Sequence, residues 1–387
     1  MNILMLGVGD AGLDDPRSET VRRQLEYAQR AGGRIDLVVD APTGGISNHG
    51  VLTVHRTGTG RLGYPSAAFR LAREIAQTRM PDLITTQDPF ATALVGFWLR
   101  RELRRPLLIQ NHSSFLFNRH WIAERPVLFR VLHALARFLL PKADGWRVVN
   151  SLERRTYLER LGLPADRVRV IPVPCDLGAY GGERLAAAVL RARERLRFPV
   201  DSQVVLWAGR PVRVKRLPVL YAAFAQIRRM NPRARLVIAG RRSLAQEDLI
   251  RVEQNLAVGG ATTWVENISH DDLAGLYGAA DVFLFPSIYE GFGRVLVEAA
   301  AVGLPAVATA TAGASDIVQD NETGFLVPVE DPAALAARAG ELLADSVLRG
   351  RLGGNAIRRV REQFDPQDLF DAVVTQWRLV AAAGVHS

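Results

Sequence analysis

Two stretches in the second half of this 387-residue chain combine charge, glycine and spacing in a way that suits phosphate and sugar chemistry. The first is Gly209-Arg210-Pro-Val-Arg-Val-Lys215, directly after an apolar run at 204–207. An arginine fork and a lysine point charge in one strand-end loop can clamp a diphosphate. Lys215 stands out because the chain has only one other lysine, Lys142, among 49 basic residues. The second stretch runs from Pro286 through Glu290-Gly291-Phe292-Gly293-Arg294 to Glu298. Its glycine loop leads into a helix expected from about Gly293, stopped by Gly303 and Pro305. Free backbone amides at Gly291, Phe292, Gly293 and Arg294 would form an anion site there. Glu298, about a turn into the helix, could accept both hydroxyls of a ribose. Glu290, ahead of it, could hold a sugar hydroxyl or stabilise developing positive charge. A third strand end, at Gly240-Arg241, puts Arg241 near a base or phosphate.

One further motif invites a different chemistry. Gly7, Gly9 and Gly12 follow the first apolar run in a GxGxxG pattern, and Asp40 ends the second run. A dinucleotide site requires the helix to begin within those glycines, so that its amides meet the pyrophosphate. Asp14, Asp15 and Pro16 intervene and delay the helix to about Ser18. The better reading is a flexible glycine loop, with Gly9 and Gly12 approaching a cleft or acceptor. Other chemistries lack their signatures. The sequence has no HExxH, CxxC pair, GxSxG, Walker loop or Asp-x-Asp. No metal or cofactor is expected, so a departing diphosphate would be neutralised by Arg210, Lys215 and helix amides.

The elements that must position these groups read as two series of βαβ units. Strand-like runs fall at 2–6, 35–39, 83–85, 107–110, 146–149 and 168–171. They resume at 204–207, 236–239, 263–265, 282–285, 306–308 and 324–327, with amphipathic helices such as 19–31, 217–230 and 272–277 between. Such alternation means α/β architecture, with parallel sheets covered by helices on both faces. Two series imply two Rossmann-like domains, 1–180 and 181–365, joined near the Pro and Gly cluster at 172–182. A basic helix at 183–197 opens the second series, and the last segment, 366–387, adds a final helix at 366–383. Ligand clefts in this architecture lie beyond the carboxyl ends of the strands.

At this point the chain resembles the retaining GT-B glycosyltransferases often called family 4, which include sucrose synthases and bacterial phosphatidylinositol mannosyltransferases. Gly209-Arg210 and Lys215 resemble that family's G-R-x(4)-K loop. Glu290 and Glu298 match its E-x(7)-E motif, and the segment from Ile171-Pro172 to Asp176 resembles the end of its acceptor domain. The resemblance implies that Arg210 and Lys215 bind the donor diphosphate, Glu298 the ribose and Glu290 the transferred sugar. It also implies a catalytic-site role for His112, after the run at 107–110, and a final helix that crosses back to the first domain. Departures are Arg216 where the family usually has glycine, Val173-Pro174 before the hinge aspartate, and Glu266 after the run at 263–265.

The expected reaction is metal-independent transfer of a sugar from a UDP- or GDP-sugar to an acceptor hydroxyl, with retention, in cell-envelope polysaccharide or glycolipid synthesis. A nucleotide-sugar epimerase of the same fold, an NAD-dependent oxidoreductase acting through Gly7–Gly12 and a non-catalytic nucleotide-sugar sensor are the competing readings. The net charge of +9 is uneven, with residues 1–180 carrying +8. Few aromatics and no binding motif argue against nucleic acid. The basic half therefore points to an anionic membrane surface or a lipid-linked acceptor. Pro126–Leu140, read as a helix, places Arg130, His133 and Arg137 on one stripe, with apolar residues over most of the rest. No apolar run reaches the roughly 18 residues of a membrane span. The single Cys175 and a first strand without a basic leader lead to an expected cytoplasmic location, peripheral to the inner membrane face.

Overall fold

The computed structural model describes residues 1–9, 11–241 and 247–384, of which 247–250 are described by backbone alone. The chain divides into two compact units, Met1–Pro174 with Pro366–Ser387, and Cys175–Asp365. The boundary thus falls at 174/175 rather than 180/181. Residues 175–181 belong with the helix Gly182–Leu196, whose Arg184 forks onto Asp271 at 2.7 and 3.0 Å.

The first unit holds β1 (Asn2–Leu6), β2 (Arg34–Val39), β3 (Ala41–His49), β4 (Leu52–Thr59), β5 (Leu83–Thr86), β6 (Leu107–Asn111), β7 (Gly145–Val148) and β8 (Val168–Val170). They pair in the order β3-β4-β2-β1-β5-β6-β7-β8, all parallel except the β3–β4 hairpin. That hairpin is absent from the sequence reading. Most of β3 is exposed and rich in glycine, so no alternating apolar pattern marks it.

The helix Glu19–Ala31 starts at Ser18, whose hydroxyl accepts from the Val21 amide and donates to the Gly12 carbonyl. The final helix, Pro366–Ala383, packs into this unit's core through Leu369, Val373, Val374, Trp377 and Val380. Tyr27 meets Phe370 and Trp377 at ring distances of 5.1 and 5.3 Å. A side chain on Gly145 would come within 2.5 Å of Val380, so the strand and the helix meet over a glycine.

The second unit holds β9 (Gln203–Ala208), β10 (Ala234–Ala239), β11 (Thr262–Val265), β12 (Val282–Phe285), β13 (Ala306–Thr309) and β14 (Gly324–Val327). Their order is β11-β10-β9-β12-β13-β14, all parallel. The chain builds outward from β9 on one side, then returns to build outward from β12 on the other. The switch point therefore lies between β9 and β12, the two strands whose ends carry the charged motifs. Trp207, Phe224 and Tyr221 are wholly buried beneath them, each contributing up to roughly 3 kcal/mol through area removed from water. The loops at the switch point thus stand on a packed base.

Candidate active site

β9 is followed by Gly209, whose amide donates to the Ala239 carbonyl at 2.9 Å. A side chain on the neighbouring Gly240 would lie 2.2 Å from the Gly209 oxygen, so the two strand ends approach as only glycine allows. The chain then turns through Arg213–Lys215 into the helix Leu217–Met230. Arg216, at φ 49°, occupies the left-handed region where glycine is the easier residue, and its guanidinium forks onto Glu330. The loop after β12 is tied to this turn by the Ile288 amide, which donates to the Val214 carbonyl at 2.9 Å.

That tie brings the key charges together. The Lys215 ammonium pairs with the Glu290 carboxylate and lies 5.0 Å from the centre of the Phe285 ring. Both side chains are about four-fifths buried, at 18% and 22% exposed, so the pair is only partly screened by water. Arg210 is exposed, with no ion-pair partner among the described residues.

Gly293, at φ 82°, caps the helix Arg294–Ala301, which starts one residue later than its glycine suggested. Gly313 comes so close behind that its side chain would lie 2.7 Å from the Gly291 and Phe292 backbone, and its amide donates to the Glu290 carbonyl at 3.1 Å. Phe292 is buried, packed on Phe364.

Glu298 is buried in the same helix and accepts from the Tyr277 hydroxyl at 3.0 Å, with Arg294 3.7 Å away. Burial first, then the charge of Glu298, pushes the Tyr277 hydroxyl well above its ordinary value, so it remains a donor. Nothing in the sequence singled out Tyr277, because its partner lies 21 residues on, in another helix. Arg241 is exposed and among the described residues reaches Asn267, at 3.5 Å. It is not drawn into the Lys215–Glu290 pair.

The first unit carries the remaining candidates. His112 follows β6, with its Nδ1 buried and without a hydrogen-bond partner among the described residues. Burial, aided by the Arg147 and Arg23 guanidiniums, lowers its pKa to about 3, so the ring is neutral near pH 7. Beneath it Asn111 donates to Glu153 at 2.7 Å, and burial raises that carboxyl to about 8. Arg147, also buried, donates to Gln110 and to the Ile171 and Pro172 carbonyls, fixing the ends of three neighbouring segments. Sequence reading missed Glu153 and Arg147, since a charged residue inside a helix or strand pattern reads as solvated.

Asp10 falls outside the described residues, and on either side of it Gly9 and Gly12 make hydrogen bonds to Asp40 and Ser18. The Gly9 amide donates to Asp40 and Leu13 is buried. Asp14 accepts from Ser47 at 2.6 Å and Arg56 at 2.8 Å, both on the unanticipated hairpin. With the helix starting at Glu19 and Asp40 occupied, the described residues provide no pyrophosphate cradle.

Residues 18–178 match the model of the Glycosyltransferase Family 4 family, and residues 190–359 match that of Glycosyl transferases group 1. The chain belongs to the GT-B glycosyltransferases of family 4. Among curated proteins it is similar to D-inositol 3-phosphate glycosyltransferase of Xylanimonas cellulosilytica, with 36% identity over 54% of this chain and 51% of that protein. The protein of that name from Mycobacterium tuberculosis is 33% identical, over 62% of this chain and 49% of its own. The chain thus spans about half the length of the curated relatives it matches.

Among solved structures, sucrose-phosphate synthase from Thermosynechococcus elongatus aligns with a TM-score of 0.82 and 26% identity, over 99% of this chain and 100% of that one. Anabaena HepE, solved in complex with UDP and glucose, shares the fold with a TM-score of 0.76 and 20% identity, over 97% and 98%. In this family-4 glycosyltransferase the two most specific motifs, G-R-x(4)-K and E-x(7)-E, are joined by the Lys215–Glu290 pair at one switch point.

Proposed function

We propose that the chain transfers a sugar from a nucleoside diphosphate sugar to an acceptor hydroxyl, with retained configuration and without a metal ion. The observation that carries this reading is the Lys215–Glu290 pair at the β9/β12 switch point, beside the exposed Arg210 and the Gly293 helix start. Arg210, Lys215 and the amides of Gly291, Phe292, Gly293 and Arg294 neutralise the diphosphate. Glu298, oriented by Tyr277, accepts the ribose hydroxyls, and Arg241 lies toward the base. Glu290 takes a hydroxyl of the transferred sugar. In the first unit the neutral ring of His112 can hydrogen-bond a sugar hydroxyl.

In the transfer the bond from the anomeric carbon to the diphosphate oxygen breaks, and a bond to the acceptor oxygen forms on the same face. The acceptor proton passes to the departing phosphate oxygen, so no separate base is needed. UDP or UDP-glucose in solved neighbours of the same fold supports a uridine nucleotide donor.

The finer reading of the acceptor is a lipid-linked sugar at an anionic membrane surface. Among the described residues no helix is long and apolar enough to cross a membrane. The helix Pro126–Leu139, however, exposes Val127, Leu128, Val131 and Phe138 alongside Arg130 and Arg137. Apolar contact plus roughly 1 kcal/mol per basic residue suits reversible attachment.

The test is release of UDP or GDP from UDP- and GDP-hexoses, with and without acceptor extracts, in EDTA. Acceptor-dependent release in EDTA is expected. Donor isomerised without acceptor would point to the epimerase instead, and activity lost in EDTA but restored by Mn²⁺ would overturn metal independence.

A further inference from the structure

The first unit has a cavity of about 290 Å³ at the end of its sheet opposite His112. It opens where the chain enters β6, lined by Arg100, Arg101, Arg104, Arg105 and Asp144. β6 is five residues long, so the cavity lies roughly 15 Å or more from His112 along the strand.

The arginines are not equivalent. Arg100 is held by Asp144 in a fork of two 2.7 Å bonds, and the same carboxylate accepts from the Leu107 amide at 2.8 Å. Arg101 lies over the Phe97 ring at 5.8 Å. Arg101, Arg104 and Arg105 have no carboxylate partner among the described residues, while the nearby Glu102 is taken by Arg73 at 2.6 Å. Arg100 and Arg101 occupy the last turn of the helix Ala91–Leu103, where cations suit the helix end. Arg104 and Arg105 lie beyond that turn and line the same cavity. Among the described lining residues, one carboxylate and a helix end worth about half a negative charge stand against four guanidinium charges, leaving a surplus of about 2.5 positive charges. Guanidiniums lining one space repel unless an anion lies between them, and a planar fork suits phosphate oxygens.

We propose that this cavity is a binding site for a phosphate-bearing ligand, separate from the donor loops. The ligand class is a phosphomonoester or pyrophosphate, either free in solution or carried as a lipid headgroup. Its phosphate would engage Arg101, Arg104 and Arg105, while the Arg100–Asp144 fork holds the cavity wall.

Hydrogen exchange measured peptide by peptide on the whole chain tests this, because it locates binding. The probes are inorganic pyrophosphate, and vesicles of phosphatidic acid against phosphatidylcholine. With free pyrophosphate at about ten times its Kd, opening in the peptides around 100–107 and 143–146 should fall roughly tenfold. The protection should vanish in Arg104→Ala/Arg105→Ala and persist in Arg61→Ala/Arg70→Ala, which removes equal charge from exposed positions of the same unit. Protection by pyrophosphate would assign a soluble ligand, and protection by phosphatidic acid vesicles alone a headgroup. Unchanged exchange with both probes, or equal loss of protection in both double variants, would overturn the site.

Discussion

Glu153 keeps its proton near neutrality because burial outweighs the hydrogen bond from Asn111, raising its pKa from 4.5 to about 8. Between those values the unfolded chain releases this proton and the folded chain retains it. The group's contribution to stability is therefore complete below about pH 4.5 and is lost as pH rises through about 8. Glu153→Gln, which cannot titrate, should gain on the parent protein across that window. Denaturation of both at pH 5, 6.5 and 8 reads the difference, and a gap that does not change with pH would contradict the assignment. His112 has the opposite sign. Its depressed pKa gives stability that is present above 6.5 and lost as pH falls toward about 3. At this scale the sequence was legible where a residue type and spacing carry the chemistry themselves, as in Arg210, Lys215, Glu290 and Glu298. It was silent where the environment decides, as in the buried Glu153 and Tyr277.

Elements were readable in proportion to their burial. β1, β12 and β14, and the helices Glu19–Ala31, Leu217–Met230 and Pro366–Ala383, have the limits their apolar patterns suggest. The β3–β4 hairpin escaped because β3 shows its residues to solvent and so carries no pattern. It nonetheless holds Asp14, two residues past Gly12, through Ser47 and Arg56. Close approaches between elements are equally hidden. Gly313, at the start of the helix Ala312–Ile317, touches the backbone of the Glu290 loop. Gly313→Ala should displace that loop at a cost of about 1–3 kcal/mol and weaken donor binding with the secondary structure retained. Gly350→Ala, with open space around its added carbon, should be neutral or slightly stabilising. Melting temperature and donor affinity measured together check both. Unaltered affinity in Gly313→Ala would show that this contact does not set the loop.

At the scale of the whole molecule, the last helix returns to the unit that the chain left nearly two hundred residues earlier. Trp377 is wholly buried there, against Tyr27 and the ends of the apolar core. Trp377→Ala should cost about 3–5 kcal/mol, and the loss should appear as faster hydrogen exchange in peptides from 1–174 rather than from 175–365. Faster exchange throughout the second unit alone would contradict that division. The +8 charge of residues 1–180 is a property of this same scale, legible as a sum. Its convergence at Arg100–Arg105, around a cavity, is visible only once the helix end and β6 are placed.

The central claim is that the loops after β9 and β12 form a nucleoside diphosphate site. Calorimetric titration of UDP, GDP and the free nucleosides into the parent protein, Arg210→Ala and Lys215→Ala addresses it directly. Hydrogen bonds to charged groups are worth about 1.5–3 kcal/mol each, so each variant should bind the preferred diphosphate roughly ten- to a hundredfold more weakly. Binding of the free nucleoside should change little. Diphosphate affinity unaltered in both variants would contradict the assignment of the switch point as the donor site.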